Sequence, residues 1–383
     1  MAEPNRNPPR TRHIVVDPQG GDLDVEVHAY GGGEICTMEV SREALLSFPG
    51  TSEYFRRSFQ FNEANNLPSD VIFKDDDIDA MIIWMLWAHY DKFSSQPGVR
   101  GRIGATRVLL LSMFRYHGVD IDAAECVWEI LNVANKYRFE PSSLQEFFRP
   151  WYHDNQRRSE PSVQGLQALV LPCFAFDCPE GFHEITRWLA YDSVDQDFDL
   201  SPPGFEHIFT SAREHITYLL TEFRSTLRSG VNKTMWGRVF HMWDWIPSSC
   251  KRANGMDERV PGCVDEFKFK DFNWSDKSVN ELFKHLDNLS VSGNTGHCTH
   301  CDEYLEHAVD TESMREMKYW DGLCLDCIKN AGSNRMENVY TFCMKEPYDG
   351  FGSNFNGCRT AHQLPTWHHS TRARAPLVPV WRI

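Results

Sequence analysis

The stretch GDLDVEVHAYGGGEICTMEVSREALLSFPGTSEYFRRSF, residues 21–59, holds two periodicities in succession. Leu23, Val25 and Val27 alternate with Asp22, Asp24 and Glu26, the period of two of a half-buried strand. Three glycines at 31–33 make a turn, and Cys36, Met38 and Val40 supply one face of a second strand. Together they predict a β-hairpin. From Ser41 the spacing becomes helical. SREALLSF ends at Pro49-Gly50, and TSEYFRRSF restarts with Thr51 or Ser52 as the N-cap. A hairpin followed at once by helices predicts an α+β domain.

On the N-terminal side, residues 1–12 are polar and Pro-rich and are expected to be flexible, with no apolar run of the kind that directs secretion. On the C-terminal side, Val71, Ile72 and Phe73 predict a short strand. Asp76 and Asp77 are candidate caps for the apolar helix IDAMIIWMLWAHY, whose run is about half of what a bilayer span needs. A Gly-rich basic loop, QPGVRGRIG, comes next. Val127, Ile130, Leu131 and Ala134 then mark one face of a further helix. Pro141 and Ser142 open another, which Pro150 is expected to kink or end. The polar stretch 153–162 reads as a boundary. Beyond it the pattern is mainly helical, with a buried stripe predicted at Ile216, Leu219, Leu220 and Phe223. Ser278 and Glu281 form a capping box ahead of Val279, Leu282, Phe283, Leu286 and Leu289. The expected organisation is a flexible start (1–12), an α+β domain (13–155), a helical domain (163–290), a metal module (291–345) and a loose tail (346–383).

The chain has 383 residues, 41% hydrophobic and 24% charged, as expected of a globular protein. A net charge of −15 disfavours non-specific attraction to nucleic-acid phosphates. With no membrane span and no secretory segment, the chain is expected in the cytoplasm, the nucleus or both, where thiols stay reduced. Its 12 cysteines then read as thiols and metal ligands.

The N-terminal third resembles the BTB/POZ domain, in the divergent form found in many proteins of filamentous fungi. Val40, Ser41, Leu45, Ser52 and Phe55 match the family pattern after the hairpin, and Ala134, Lys136 and Tyr137 match its later segment, where Asn135 replaces the usual acidic residue. The insertion at 93–105 departs from the compact pattern. Residues 168–190 and the segment GLCLDC, 322–327, are similar to later parts of the same fungal proteins. The resemblance implies an interaction domain that often forms homodimers. In some members it serves as a substrate adaptor for cullin-based ubiquitin ligases, and it implies no catalytic residues. A twofold surface near residues 14–60 would divide Leu45, Leu46, Phe48, Tyr54 and Phe55 between core and interface. Unpaired edges of the hairpin are a further expected reason for pairing.

Two Cys-x-x-Cys turns, Cys298 with Cys301 and Cys324 with Cys327, are separated by 22 residues. Four thiolates at such spacing suit tetrahedral structural Zn2+, and a closed sphere leaves no open position for a substrate or an activated water. His297 or His300 is the alternative fourth ligand. Cys250, Cys263, Cys343, Cys358 and His362 follow no ligand spacing, and PCFAFDC (172–178) has its cysteines too far apart for a deaminase-type pair. His183-Glu184 and Asp75, Asp76 and Asp77 read as solvated helix-end residues. No phosphate-binding, dinucleotide or hydrolase motif is found. The sequence therefore reads as a non-enzymatic adaptor or scaffold that binds proteins. A zinc-dependent nucleic-acid-binding or transcription-related regulator, or a zinc enzyme, stands as the alternative.

Overall fold

The computed structural model describes residues 9–17, 20–67, 71–90, 124–158, 162–194, 198–245, 276–289, 322–326 and 328–329. The chain is mixed helix and sheet, and it divides into two compact units. The first comprises Met1–Gly181 with Ser201–Thr210, and the second Phe182–Leu200 with Ser211–Ile383.

In the first unit the hairpin forms as its alternation dictates. β2 (Leu23–Ala29) and β3 (Glu34–Val40) pair antiparallel, with Leu23 opposite Val40, Val25 opposite Met38 and Val27 opposite Cys36. All six of these side chains are buried. The hairpin's edges are not open, contrary to expectation. β1 (Arg10–Val15) lies parallel to β3, and β4 (Val71–Asp76) parallel to β2, so the four-stranded sheet runs β1-β3-β2-β4. β1 also begins inside the stretch expected to be flexible. Backbone pairing by two non-adjacent strands satisfies the edge groups that the hairpin alone would leave bare.

α1 (Arg42–Ser47) and α2 (Ser52–Ala64) follow β3. Thr51 stands at the N-cap of α2, but its hydroxyl donates back to the Leu45 carbonyl at 3.1 Å. α3 (Ile78–Ala88) is capped by Asp77, whose carboxylate accepts the Ala80 N–H at 2.7 Å. Every residue of α3 except Asp79 is buried. A helix apolar on all sides belongs in the centre of a domain. At 11 residues it is only about 16 Å long. No helix among the described residues is long and apolar enough to cross a membrane.

α4 (Ala124–Tyr137) packs on α3, with Trp84 Nε1 donating to the Ile130 carbonyl. A 3-10 turn at Pro141–Leu144 leads into α5 (Gln145–Arg158). Of the two expected effects of Pro150, a kink or an end, the second does not occur: the helix continues past it. The missing N–H costs one backbone bond, and burial of Phe147, Phe148, Trp151 and Tyr152 along one face holds the helix across it. α6 (Val163–Ala175) starts at Ser162, whose hydroxyl accepts the Gly165 N–H. It packs on α4, where Trp128 Nε1 donates to the Ala168 carbonyl.

The second unit holds most of α7 (Pro179–Asp192), the long α8 (Thr210–Trp245) and α9 (Val279–Leu289). Ile216, Leu220 and Phe223 of α8 are buried, and Leu219 is half-buried. The capping box of α9 forms in both directions. Ser278 N–H donates to Glu281 Oε2 at 2.8 Å, and Glu281 N–H donates to Ser278 Oγ at 3.2 Å.

Candidate functional site

The β4–α4 junction shows how one irregularity in a strand engages the Lys136-Tyr137 segment of the sequence. Val71 and Phe73 face inward, so strict alternation would send Asp75 in and Asp76 out. A register shift intervenes: His28 pairs with Lys74, but Ala29 pairs with Asp76. Asp75 is the extra residue and takes φ 55°, a left-handed conformation that Asp tolerates. The parity flips. Asp76, read from the sequence as solvated, is instead 2% exposed. Lys136 Nζ donates to Asp76 Oδ1 at 2.9 Å and to the carbonyls of Lys74 and Asp75 at 2.5 and 3.1 Å. The Tyr137 hydroxyl donates to Asp76 Oδ2. Burial, followed by this contact with Asp76, pushes the Tyr137 phenol well above its ordinary range, so it stays a donor. The cluster is a structural lock around a buried carboxylate.

The expected association residues sort by depth. Leu45 and Phe55 are fully buried, in the core. Tyr54 is half-buried but belongs to an aromatic cluster, stacked on Phe73 at 5.7 Å and edge-on to Tyr137 at 5.3 Å. Leu46 and Phe48 remain half-buried at the end of α1. Two polar anchors fix that helix. Ser41 Oγ accepts the Ala44 N–H, while the Ser41 N–H donates to His89 Nε2 at 2.8 Å. His89 Nδ1 in turn bonds the Met85 carbonyl at 2.7 Å, which assigns the proton to Nδ1 and leaves Nε2 as the acceptor. On the other side, Arg42 bonds Glu63 at 2.7 Å and lies over the Phe59 ring at 4.2 Å.

Of the expected metal ligands, Cys324 alone lies among the described residues. Cys298, Cys301, Cys327, His297 and His300 fall outside them, as do the insertion 93–105 and the tail 346–383. Leu323, Cys324 and Leu325 are fully buried within the second unit. The Leu323 N–H donates to Thr186 Oγ1 at 2.8 Å, and the Thr186 hydroxyl in turn donates to the Phe182 carbonyl at 2.8 Å. Gly322 is required here: it adopts φ +110°, and a Cβ would come within 2.1 Å of the His183 carbonyl oxygen. The second Cys-x-x-Cys pair thus starts from a segment seated on α7. Among the described residues, no group of three or more His, Cys, Asp or Glu is arranged to hold a metal ion. A groove of about 410 Å³ also lies in this unit, lined by Glu184, Arg187, Trp188, Tyr191 and Asp192 of α7 and by Asn280, which donates to Asp192 at 2.7 Å.

Sequence reasoning missed the Asp76–Lys136 pair, because 60 residues separate its members. It also missed the seat of Gly322 on α7, whose only local sign is the glycine that opens GLCLDC. No family model, curated protein or solved structure matches the chain.

Proposed function

We propose that the chain is a non-enzymatic adaptor or scaffold of the BTB/POZ type, which binds proteins through its N-terminal α+β unit and carries structural zinc on its C-terminal Cys-x-x-Cys pairs. The observation that carries this reading is the sorting along α1. Leu45 and Phe55 anchor the helix pair in the core, while Leu46 and Phe48 keep apolar surface at its end. Such surface on rigid elements is what a docking face needs. A second copy of the chain is the first partner to consider, and the family resemblance adds a cullin as a heterologous one.

Sedimentation of the full chain tests the homodimer. The wild type is expected at about twice the monomer mass of 44.4 kDa at micromolar concentration. Leu46→Glu with Phe48→Glu is expected to shift it to the monomer, because two buried charges oppose a closed apolar contact. A wild-type monomer would remove self-association from the proposal.

The zinc has its own test. Cys298, Cys301, Cys324 and Cys327 would hold about one ion per chain as thiolates, and the ion would staple a segment with little apolar content. Elemental analysis of purified protein is expected to give about one zinc per chain, falling at least several-fold in Cys324→Ser. Unchanged metal content in that variant would take Cys324 out of the site.

A further inference from the structure

The turn between α6 and α7 carries PCFAFDCP, residues 172–179, and its backbone brings two cysteines together. α6 ends with Phe176 as C-cap, and Asp177 follows in the left-handed region at φ 58°. The Cys178 N–H then donates to the Cys173 carbonyl at 2.9 Å. This six-to-one bond is a Schellman closure, in which the residue two beyond the C-cap folds back against the residue three before it. Those two residues are Cys178 and Cys173. The spacing that disqualifies the pair as a Cys-x-x-Cys ligand turn is the spacing that bonds one residue's backbone to the other's.

Cys178 also stands immediately before Pro179, the first residue of α7. The Cys173 thiol and the Gly181 N–H both favour the thiolate form of its sulfur. Gly181 leaves the space for this arrangement: a Cβ there would lie 2.9 Å from Cys173 Sγ and 2.9 Å from the Tyr152 ring. The bond from Cys173, foremost, holds the Cys178 thiol below its ordinary range in spite of burial. Cys36 makes the contrast. It is equally buried, and burial pushes its thiol up to about 11.

We propose that Cys173 and Cys178 are a peroxide-oxidisable dithiol, a modification site at which hydrogen peroxide converts the pair to a disulfide across the α6–α7 turn. Burial of both sulfurs selects a small neutral oxidant over a bulky disulfide reagent. The Cys178 thiolate sulfur attacks one peroxide oxygen and the O–O bond breaks. The other oxygen departs as hydroxide and takes up the proton released from the thiol, becoming water. Cys178 is now a sulfenic acid, oxidised by two electrons as the peroxide is reduced. The Cys173 sulfur then attacks the Cys178 sulfur, the S–O bond breaks, and the oxygen leaves as water with the second thiol proton. Two thiols and one peroxide give one disulfide and two waters.

The test uses the reduced full chain, treated with hydrogen peroxide while circular dichroism shows it folded, then alkylated under denaturing conditions and cut with trypsin. The peptide 159–187 contains Cys173 and Cys178 and no other cysteine. It is expected to lose two hydrogens and take up no alkyl group, whereas the peptide carrying Cys36 stays fully alkylated. Cys173→Ser should arrest at a Cys178 sulfenic acid that a dimedone probe captures, and Cys178→Ser should slow oxidation at position 173 by roughly tenfold or more. A wild-type 159–187 peptide alkylated at both cysteines after peroxide, a disulfide formed only after unfolding, or equal oxidation of Cys36 would overturn the proposal. The wild-type mapping decides it even where a variant fails to fold.

Discussion

Lys136→Met is expected to destabilise the chain by about 3 kcal/mol, because it strands a buried carboxylate. Asp76 is 2% exposed, and its carboxylate has two side-chain partners among the described residues, the Lys136 ammonium at 2.9 Å and the Tyr137 hydroxyl. Methionine fills much the same volume as the lysine stem but supplies no charge and no donor. It also leaves the Lys74 and Asp75 carbonyls of the β4 bulge without the ammonium that bonds them. The lysine side chain is 39% exposed, so the expected loss sits at the lower end of the range for breaking a buried pair, about 3 of 3–5 kcal/mol. Tyr137→Phe removes one hydrogen bond to a charged acceptor and should cost less, about 2 kcal/mol. A thermal melt of each variant checks the order. Adding Asp76→Asn to Lys136→Met should recover part of the loss, since no unpaired charge then remains inside. A Lys136→Met variant as stable as the wild type would show that the lock is not holding β4 to α4.

Gly322→Ala is the second large effect, and it reports on the second unit. The residue sits at φ +110°, where any side chain is strained, and the added methyl would meet the His183 carbonyl oxygen at 2.1 Å. No flexible side chain can give way, because the obstacle is helix backbone. The variant must therefore lift the segment off α7 and break the bond from the Leu323 N–H to Thr186. It also brings Leu323, Cys324 and Leu325 out of full burial. Exposing two leucines alone should cost about 3 kcal/mol or more of local docking free energy. Hydrogen exchange across 322–326, which reads local opening, is the measurement. The expected result is loss of protection there and along the Thr186 turn of α7, with α1–α4 unchanged. Undiminished protection at Leu323 would contradict the seating.

What could be read in the sequence follows from how local its cause is. The hairpin, the Asp77 cap and the Ser278–Glu281 box are decided by residues within a few positions of each other, and they form as read. β1 was illegible because in RTRHIV only Ile14 is buried, and its pairing to β3 is a parallel contact with no turn to announce it. The inward turn of Asp76 depends on a bulge whose extra residue, Asp75, looks like any other acidic residue near a helix start. Pro150 shows the same limit: the local rule allows a kink or an end, and the helix runs on past it along a packed aromatic face. Among the site residues, the core placement of Leu45 and Phe55 follows from helical spacing. That Tyr54 belongs with Phe73 and Tyr137 does not, because those partners arrive from a strand and a helix far along the chain.

The central proposal, of a protein-binding adaptor working through the end of α1, is tested most directly by quantitative mass spectrometry of what co-purifies with the full chain from its own cells. The comparison is between the wild type and the Leu46→Glu, Phe48→Glu variant. The account predicts at least one protein, a second copy of the chain or a heterologous partner such as a cullin, in near-stoichiometric amount with the wild type and strongly depleted with the variant. Equal recovery by both, or no protein above background with either, would contradict it.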